Sequence, residues 1–122
     1  MIVETLGIRR EHRVCLRGIT NPLFAAAVVW QTEYPPSRAA SGRFDIIVLQ
    51  VNEPHDLDEI ARLARHLEPT GGLWVLHGSG DAAQVQATGF AEGLVVTKRC
   101  EYSVTHVATR LSPRVRVIRG TI

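Results

Sequence analysis

Side chains that could move a proton or hold a ligand occur at three points of this 122-residue chain. The segment Asn52-Glu53-Pro54-His55 brings a carboxylate and an imidazole within three residues, and His77 adds a second imidazole. Glu53, His55 and His77 are therefore the candidate catalytic residues, as general acids or bases. The candidate ligand-binding residues are small or polar, and all follow an apolar segment: Gly18, Thr20, Asn21, Asn52, Ser79 and Asp81.

The elements that position these residues begin with strands. Five strands are predicted from apolar and β-branched runs, at residues 13–19, 44–51, 73–77, 94–101 and 104–111. The run at 44–51 is continuous, as is typical of a central strand that is covered on both faces. Tyr102-Ser103 is the predicted turn of a hairpin between the last two strands.

Helices are predicted between the strands, over residues 22–30, 56–67 and 81–88. Asn21 is a suitable cap for the first helix, and Pro22 is tolerated at its first position. Because this helix is apolar nearly all round, we expect it to be largely buried. Trp30 and Trp74 each lie in an apolar run, so both are expected in the core.

Capping and turn residues mark the ends of the other two helices. Asp56 and Glu59 resemble a capping box at the start of the second helix. After that helix, Pro69 with Gly71-Gly72 is the predicted turn, and Gly89 is the predicted left-handed stop of the third helix.

Alternation of strands and helices requires right-handed crossovers and a parallel sheet. The sequence thus predicts one α/β domain over residues 1–122, with an open sheet of about five strands and an antiparallel C-terminal hairpin. Residues 113–122 are either a basic tail or an extra edge strand. Ligands of such sheets bind outside the carboxyl ends of the strands, which is where the candidate residues gather. The alternative is that Asn21, Asp56 and Asp81 are caps and that Asn52 and Ser79 are turn residues.

Composition excludes several classes of protein. Hydrophobic residues make up 45% and charged residues 21%, which excludes a disordered chain, a collagen and a disulfide mini-protein. Cys15 and Cys100 lack a Cys-x-x-Cys spacing and suit reduced thiols. No histidine spacing typical of a metal site occurs. A metal site could at most be formed by His55 and His77 with Glu53 or Asp81, and we predict no bound metal. The start does not resemble a signal peptide, and the apolar runs are too short to span a bilayer, so a soluble cytoplasmic protein is predicted.

The stretch from Phe44 onward resembles the second half of a class I, Rossmann-like, S-adenosylmethionine-dependent methyltransferase. The segments that carry the resemblance are FDIIVLQV, LEPTGGLWVLHG and ATGFAEG, followed by the hairpin. The whole chain, with LGIRREHRVCL near its start, is similar to a bacterial family of small methyltransferase-like proteins of unknown function. The resemblance implies a reduced Rossmann-like fold. Asn52-Glu53-Pro54-His55 also faintly resembles the Asn-Pro-Pro-aromatic loop of amino-methyltransferases, with Glu53 and His55 replacing a proline and the aromatic residue.

The first half of the chain departs from that family. The family's cofactor loop after the first strand is glycine-rich, whereas here the segment LRGITNPLF has Gly18 alone. The family's second and third strands, with the acidic residue that holds the ribose hydroxyls, have no counterpart. We therefore predict a truncated fold without a cofactor, and S-adenosylmethionine stays open as an alternative.

Three functions are compatible with this sequence. The first is a non-catalytic domain that binds a partner protein or a small ligand. The second is a methyltransferase-type enzyme, or a subunit of one, that uses the crevice. The third is weak nucleic-acid binding through arginines near the two ends, Arg9, Arg10, Arg13, Arg17, Arg114, Arg116 and Arg119, although a net charge of +2 makes nucleic acid an unfavoured partner.

Without the family's second and third strands, the first predicted strand of this chain would be an unpaired edge of the sheet. Exposed edge strands are normally covered, charged or paired. Helix 22–30 and the loop at 37–42 could cover it, and so could a second copy of the chain. We therefore predict a homodimer.

Overall fold

The computed structural model describes residues 2–114, in which strands and helices alternate as predicted. The helices are α1 (Ile2–Thr5), α2 (Pro22–Gln31), α3 (Glu59–Ala64) and α4 (Ala82–Ala91). The strands are β1 (Val14–Arg17), β2 (Phe44–Gln50), β3 (Leu67–His77), β4 (Leu94–Glu101) and β5 (Val107–Pro113). Short 3₁₀ turns cover Pro54–Asp58 and Ser79–Asp81. None of the helices within residues 2–114 is long and apolar enough to cross a bilayer.

The five strands form one open sheet in the order β1-β2-β3-β5-β4. Strands β1, β2 and β3 pair in parallel, whereas β5 runs antiparallel to both β3 and β4. This confirms the predicted α/β architecture, a mostly parallel sheet that closes with an antiparallel hairpin. Since β1, β2 and β3 run in parallel, their carboxyl ends lie at one edge of the sheet, which we call the carboxyl edge; the opposite one is the amino edge.

Each face of the sheet has its own core. Val14 and Leu16 pack toward α1 and α2, whereas Cys15 packs toward α3 and α4, as a two-residue period requires. Trp74 is buried in the α1 and α2 core, and its indole N–H donates to the Leu6 carbonyl oxygen at 2.8 Å. That bond fastens the end of α1 to the centre of the sheet.

Helix α2 is less buried than its composition predicts. Phe24 and Val28 are fully buried, but the exposed fraction of Leu23 is 79%, of Val29 58% and of Trp30 90%. The prediction that Trp30 belongs to the core is therefore wrong. One side of α2 packs on the sheet and on α1, and no further layer of the described residues covers its outer side.

The second predicted helix is shorter and starts differently. The chain first makes the 3₁₀ turn, in which the Asp56 carboxylate accepts backbone N–H groups of Asn52 and Glu53, both at 2.8 Å. Asp56 thus stabilises that turn through a capping box with Glu53, so the predicted box with Glu59 is wrong.

The predicted turn at Gly71-Gly72 lies inside β3, which already begins at Leu67. A Cβ at Gly71 would lie 2.6 Å from the Asp45 carbonyl oxygen, so this glycine lets β2 and β3 approach each other closely.

Two other expected boundaries shift. Gly89 lies within α4, where a Cβ would lie 2.8 Å from Leu111 Cδ1, so it serves the packing of the helix on the sheet. The left-handed residue after the helix is Gly93, with φ of +80°. The hairpin loop runs over residues 102–106 and is longer than the predicted turn.

The outer edge of β1 is covered by the loop that follows α2. Ser37 N donates to the Val14 carbonyl at 2.9 Å, and Leu16 N donates to the Ser37 carbonyl at 2.8 Å. This single parallel bridge occupies the place of the strands that the resemblance expects there. The predicted tail or edge strand begins at Pro113, the last residue of β5, but residues 115–122 lie outside the described part of the chain.

Candidate functional site

The loop after β1 and the end of β2 meet at the carboxyl edge. Gln50 Nε2 donates to Thr20 Oγ1 at 2.8 Å and to Asn52 Oδ1 at 2.9 Å, and the Thr20 backbone N–H donates to Gln50 Oε1 at 3.2 Å. Asn52 Nδ2 donates to the Gly18 carbonyl oxygen at 2.9 Å. We call these four residues, Gly18, Thr20, Gln50 and Asn52, the edge network. Its polar groups are directed at one another.

Gly18 is required by this close approach of the two segments. Its φ is +69°, in the left-handed region that favours glycine. A Cβ at this position would lie 2.9 Å from the Gln50 carbonyl oxygen and 3.3 Å from Asn52 Nδ2. The space beside Gly18 is therefore filled by the backbone of Gln50 and the side chain of Asn52.

Glu53 and His55 form a cluster at the surface. Their side chains are 68% and 71% exposed, and His55 Nδ1 lies 3.3 Å from Glu53 Oε2. His55 Nε2 is 3.6 Å from Asp56 Oδ1. Hydrogen bonds from the backbone N–H groups of Glu53 and Asn52 lower the pKa of Asp56, partial burial opposes them, and His55 adds a small lowering effect. The Glu53 and His55 side chains are thus open to solvent and are not enclosed around a substrate.

His77 lies in the core. It is fully buried, with Nδ1 at 2.7 Å from the Gly78 carbonyl oxygen and Nε2 at 2.7 Å from Thr109 Oγ1. Because a carbonyl oxygen only accepts, we assign the proton to Nδ1, and Nε2 then accepts from the threonine hydroxyl. Both ring nitrogens are satisfied, so His77 holds β3 against β5.

The remaining candidates lie at separate places. Asn21 caps α2, with Oδ1 accepting the backbone N–H groups of Leu23 at 2.9 Å and Phe24 at 3.4 Å. Ser79 and Asp81 belong to the 3₁₀ turn after β3, where Ser79 lines a cavity of about 200 Å³ with the hairpin loop. Of the predicted ligand-binding residues, the fold thus joins Gly18, Thr20 and Asn52. No group of three metal-ligating side chains occurs within residues 2–114.

Sequence reasoning missed Gln50 and Tyr102. Gln50 is 94% buried and is the centre of the edge network; its signal is a polar residue at the end of an apolar strand. Tyr102 has a weaker signal, since an aromatic residue in a hairpin loop is often only a surface residue.

Tyr102 lines a cavity beside α2. The cavity has a volume of about 260 Å³ and is lined by Ile2, Asn21, Leu23, Phe24, Ala27 and Tyr102. The rings of Phe24 and Tyr102 meet edge to face, with centroids 5.5 Å apart. The Tyr102 hydroxyl is buried and has no hydrogen-bond partner of ordinary geometry among the described residues. Burial raises the pKa of Tyr102, and the side-chain amide of Asn21 lowers it in part.

Solved structures with the same fold are methyltransferases. The ribosomal protein L11 methylase of Lactobacillus delbrueckii subsp. bulgaricus superimposes with a TM-score of 0.75 at 13% identity, covering 93% of this chain and 75% of that one. The CcbJ methyltransferase of Streptomyces caelestis superimposes with a TM-score of 0.65 at 10% identity, covering 93% of this chain and 88% of that one. A TehB-like SAM-dependent methyltransferase of Corynebacterium glutamicum superimposes with a TM-score of 0.61 at 11% identity, covering 93% of this chain and 86% of that one.

The chain therefore has the Rossmann-like fold of the class I methyltransferases, in the truncated form that the sequence predicts. At these identities the likeness defines the fold. No family model matches the sequence. No curated protein matches it either.

The carboxyl edge differs in two places from the pattern of the family that the sequence resembles. The only glycine of the loop after β1 is packed against Gln50 and Asn52. Where the family has a second strand ending in an acidic residue, this chain has the Ser37 bridge, which is followed by Arg38, Ala39 and Ala40. These four residues, 37–40, include no carboxylate.

Proposed function

We propose that this chain is a binding domain built on the methyltransferase fold and that it works without S-adenosylmethionine. The observation that carries this proposal is the edge network, in which Gln50 and Asn52 bond to the loop after β1. A cofactor at this edge would have to break these bonds and displace a buried glutamine. The polar groups are already paired, so a ligand gains little from replacing them.

The binding surface is the outer side of α2, which we call the α2 face: Leu23, Ala26, Val29 and Trp30. All four residues are exposed, and α2 contains no charged residue. Trp30 alone presents roughly 200 Å² of apolar surface. With Leu23 and Val29, the face approaches the few hundred Å² at which an exposed apolar patch marks an interaction site.

The partner that fits the α2 face is a second copy of the chain. In an antiparallel pair of α2 helices with a two-fold axis between Ala26 and Ala27, Leu23 of each copy lies opposite Trp30 of the other. The alanines at the axis let the helices approach closely, and the absence of charge on α2 avoids repulsion. A partner of strong charge would find nothing to pair with on this helix.

The cavity at Tyr102 supports this arrangement. It lies next to Leu23, so Trp30 of the second copy would enter it from the α2 face. An indole has one N–H donor, and the buried Tyr102 hydroxyl has no hydrogen-bond partner of ordinary geometry among the described residues. A standard interface takes about 800 Å² from each copy. The α2 face would supply the apolar centre of that area, and residues of α1 and the hairpin loop would supply its rim.

The test is the mass of the protein in solution, measured by light scattering at micromolar concentration. We expect twice the 13.5 kDa chain mass for the natural protein and a single-chain mass for Trp30→Ala. Phe90→Ala is the matched control, because Phe90 is an exposed aromatic residue on α4, across the sheet, and should leave the dimer intact. A natural protein of single-chain mass, or equal effects of both variants, would reject the α2 dimer.

The alternative function is a methyltransferase-type enzyme or enzyme subunit, with which the solved structures of the same fold agree equally well. In that case another chain would supply the missing cofactor half. A thermal-shift titration with S-adenosylmethionine separates the two. A ligand at a hundred times its dissociation constant stabilises by about 2.7 kcal/mol. We expect no shift at millimolar ligand.

The proposed location is the cytoplasm. Cys15 and Cys100 form no disulfide, and burial raises the pKa of both thiols. Free thiols of this kind suit a reducing compartment.

A further inference from the structure

A third cavity lies at the amino edge of the sheet, on the side of α1. Its volume is about 260 Å³, and it is lined by Gly7, Arg9, His12, Asp45, Ile46, Thr70 and Arg110. Unlike the cavity at Tyr102, it is lined mainly by polar and charged residues.

Arg110 lines this cavity from β5. It pairs across the sheet with Trp74 on β3, and its guanidinium lies over Gly72, where a side chain would collide with it. Its Nε is buried and has no hydrogen-bond partner among the described residues. Buried donors are nearly always paired in native proteins, so this unpaired N–H against Gly72 is unusual. The guanidinium to which it belongs also lines the cavity.

The charges around Arg110 are mostly positive. Arg9 lines the same cavity, and Lys98 is the residue of β4 directly across from Arg110. None of these three side chains lies within 4 Å of a carboxylate in the described residues, whereas Arg17 and Arg62 both pair with Glu59. Like charges on opposite residues of a strand pair destabilise a sheet unless something compensates them.

The other titratable groups at the cavity are His12 and Asp45. His12 Nδ1 accepts the Arg9 backbone N–H at 3.0 Å, which leaves Nε2 as the ring nitrogen that carries a proton. Asp45 is the one lining carboxylate, and its Oδ2 accepts the Arg13 backbone N–H at 2.8 Å. Two guanidinium groups, one imidazole N–H and the Thr70 hydroxyl thus face one carboxylate, so the balance favours an anion.

We propose that this cavity binds the phosphate or diphosphate group of a small ligand. Arg110 supplies a planar fork of donors, which matches phosphate oxygens, and Arg9, His12 and Thr70 complete the set. This site is at the opposite edge of the sheet from the edge network and does not depend on the proposed function.

A phosphate group can also belong to a nucleic-acid backbone, but the arrangement favours a small molecule. Of the arginines that the sequence suggested as one basic patch, Arg17 lies at the carboxyl edge, where it pairs with Glu59 at 2.9 Å. Arg9, Arg10 and Arg13 precede β1 at the amino edge, and Arg114 follows β5 there. Arg116 and Arg119 lie outside the described residues. A single cavity around Arg110 suits one or two phosphates better than an extended strand.

The experiment is an isothermal titration of the full chain with inorganic pyrophosphate at low ionic strength. We expect saturable binding to the natural protein, at least tenfold weaker binding to Arg110→Gln, and at least threefold weaker binding to Arg9→Gln. Arg65→Gln removes the same charge from an exposed position on the far side of the sheet and should stay within twofold of the natural protein. Arg9 is exposed, so its variant tests the site even where the Arg110 variant fails to fold.

The proposal is overturned by absent binding, or by equal losses in Arg65→Gln and Arg9→Gln, which would indicate a diffuse charge effect. A single-stranded oligonucleotide is the competing probe. Binding of the oligonucleotide without binding of pyrophosphate would also overturn the small-ligand site. Displacement of pyrophosphate by inorganic phosphate, with the same order among the variants, would support it.

Discussion

Replacing Gln50 with leucine tests whether the edge network holds the carboxyl edge closed. Gln50 is buried and makes three hydrogen bonds, two to Thr20 and one to Asn52. Leucine has a similar size but no donor or acceptor. Gln50→Leu therefore removes all three bonds with little change in volume.

The expected loss of stability follows from those bonds. Each net hydrogen bond contributes about 0.5–1.5 kcal/mol to folding. Thr20 and Asn52 are exposed, so water replaces part of the loss on their side, and the leucine gains some apolar burial. The sum is about 2 kcal/mol, which corresponds to a decrease in Tm of roughly 8 °C in a domain of this size.

Thermal unfolding followed by circular dichroism measures this difference. Gln84→Leu is the matched control, because Gln84 is exposed on α4, where such a change is within about 0.5 kcal/mol. If Gln50→Leu lowers Tm by no more than Gln84→Leu does, the network does not hold the two segments together. The argument against a cofactor at this edge would then lose its basis.

Three further predictions concern the fold. Hydrogen bonds from the Glu53 and Asn52 backbone lower the pKa of Asp56. Its carboxylate therefore stabilises the fold at pH values above its usual pKa of 3.8, and this stabilisation is lost as the pH falls through the lower pKa of the folded state. Asp56→Asn should lower Tm at pH 7, and the difference in Tm between the variant and the natural protein should shrink below pH ~4. Trp74→Phe removes the bond to the Leu6 carbonyl and leaves a small cavity, so urea unfolding should report a loss of about 2–3 kcal/mol, and a loss below ~1 would contradict this role. Burial raises the pKa of the Cys15 thiol, so a disulfide reagent at pH 8 should label it only on unfolding, and labelling of the folded protein at the denatured rate would refute its burial.

The sequence predicted the fold where local signals and topology agree. The β-branched run at Phe44–Gln50 and the cap at Asn21 have direct physical readings, and strand–helix alternation then requires the parallel sheet. The prediction that α2 is largely buried is wrong for its outer side. An apolar composition shows that a helix could be buried on all sides, but it does not show whether other elements cover both sides of the helix. The turn at Gly71-Gly72 was misplaced because glycine serves close packing of strands as well as it serves turns.

The candidate site was predictable only in part. Gly18, Thr20 and Asn52 follow strand ends, so the topology brings them together as expected. Their hydrogen bonds to one another depend on Gln50, and its side-chain direction has no signal in the sequence. From the sequence, His77 is only a histidine at the end of a predicted strand. Its partner Thr109 is found only when β3 is paired with β5. The contact of Arg110 with Gly72 likewise follows only from the pairing of β3 with β5.

The most direct test of the central claim is a titration with S-adenosylhomocysteine, followed by two-dimensional NMR of the labelled chain. The informative signals are the backbone amides of Gly18 and Thr20 and the side-chain amides of Gln50 and Asn52. We predict that none of the four shifts at millimolar ligand, because their polar groups are bonded to one another. A saturable shift of these signals would mean that the edge opens to hold the cofactor, and the enzyme would then replace the binding domain as the function of this chain.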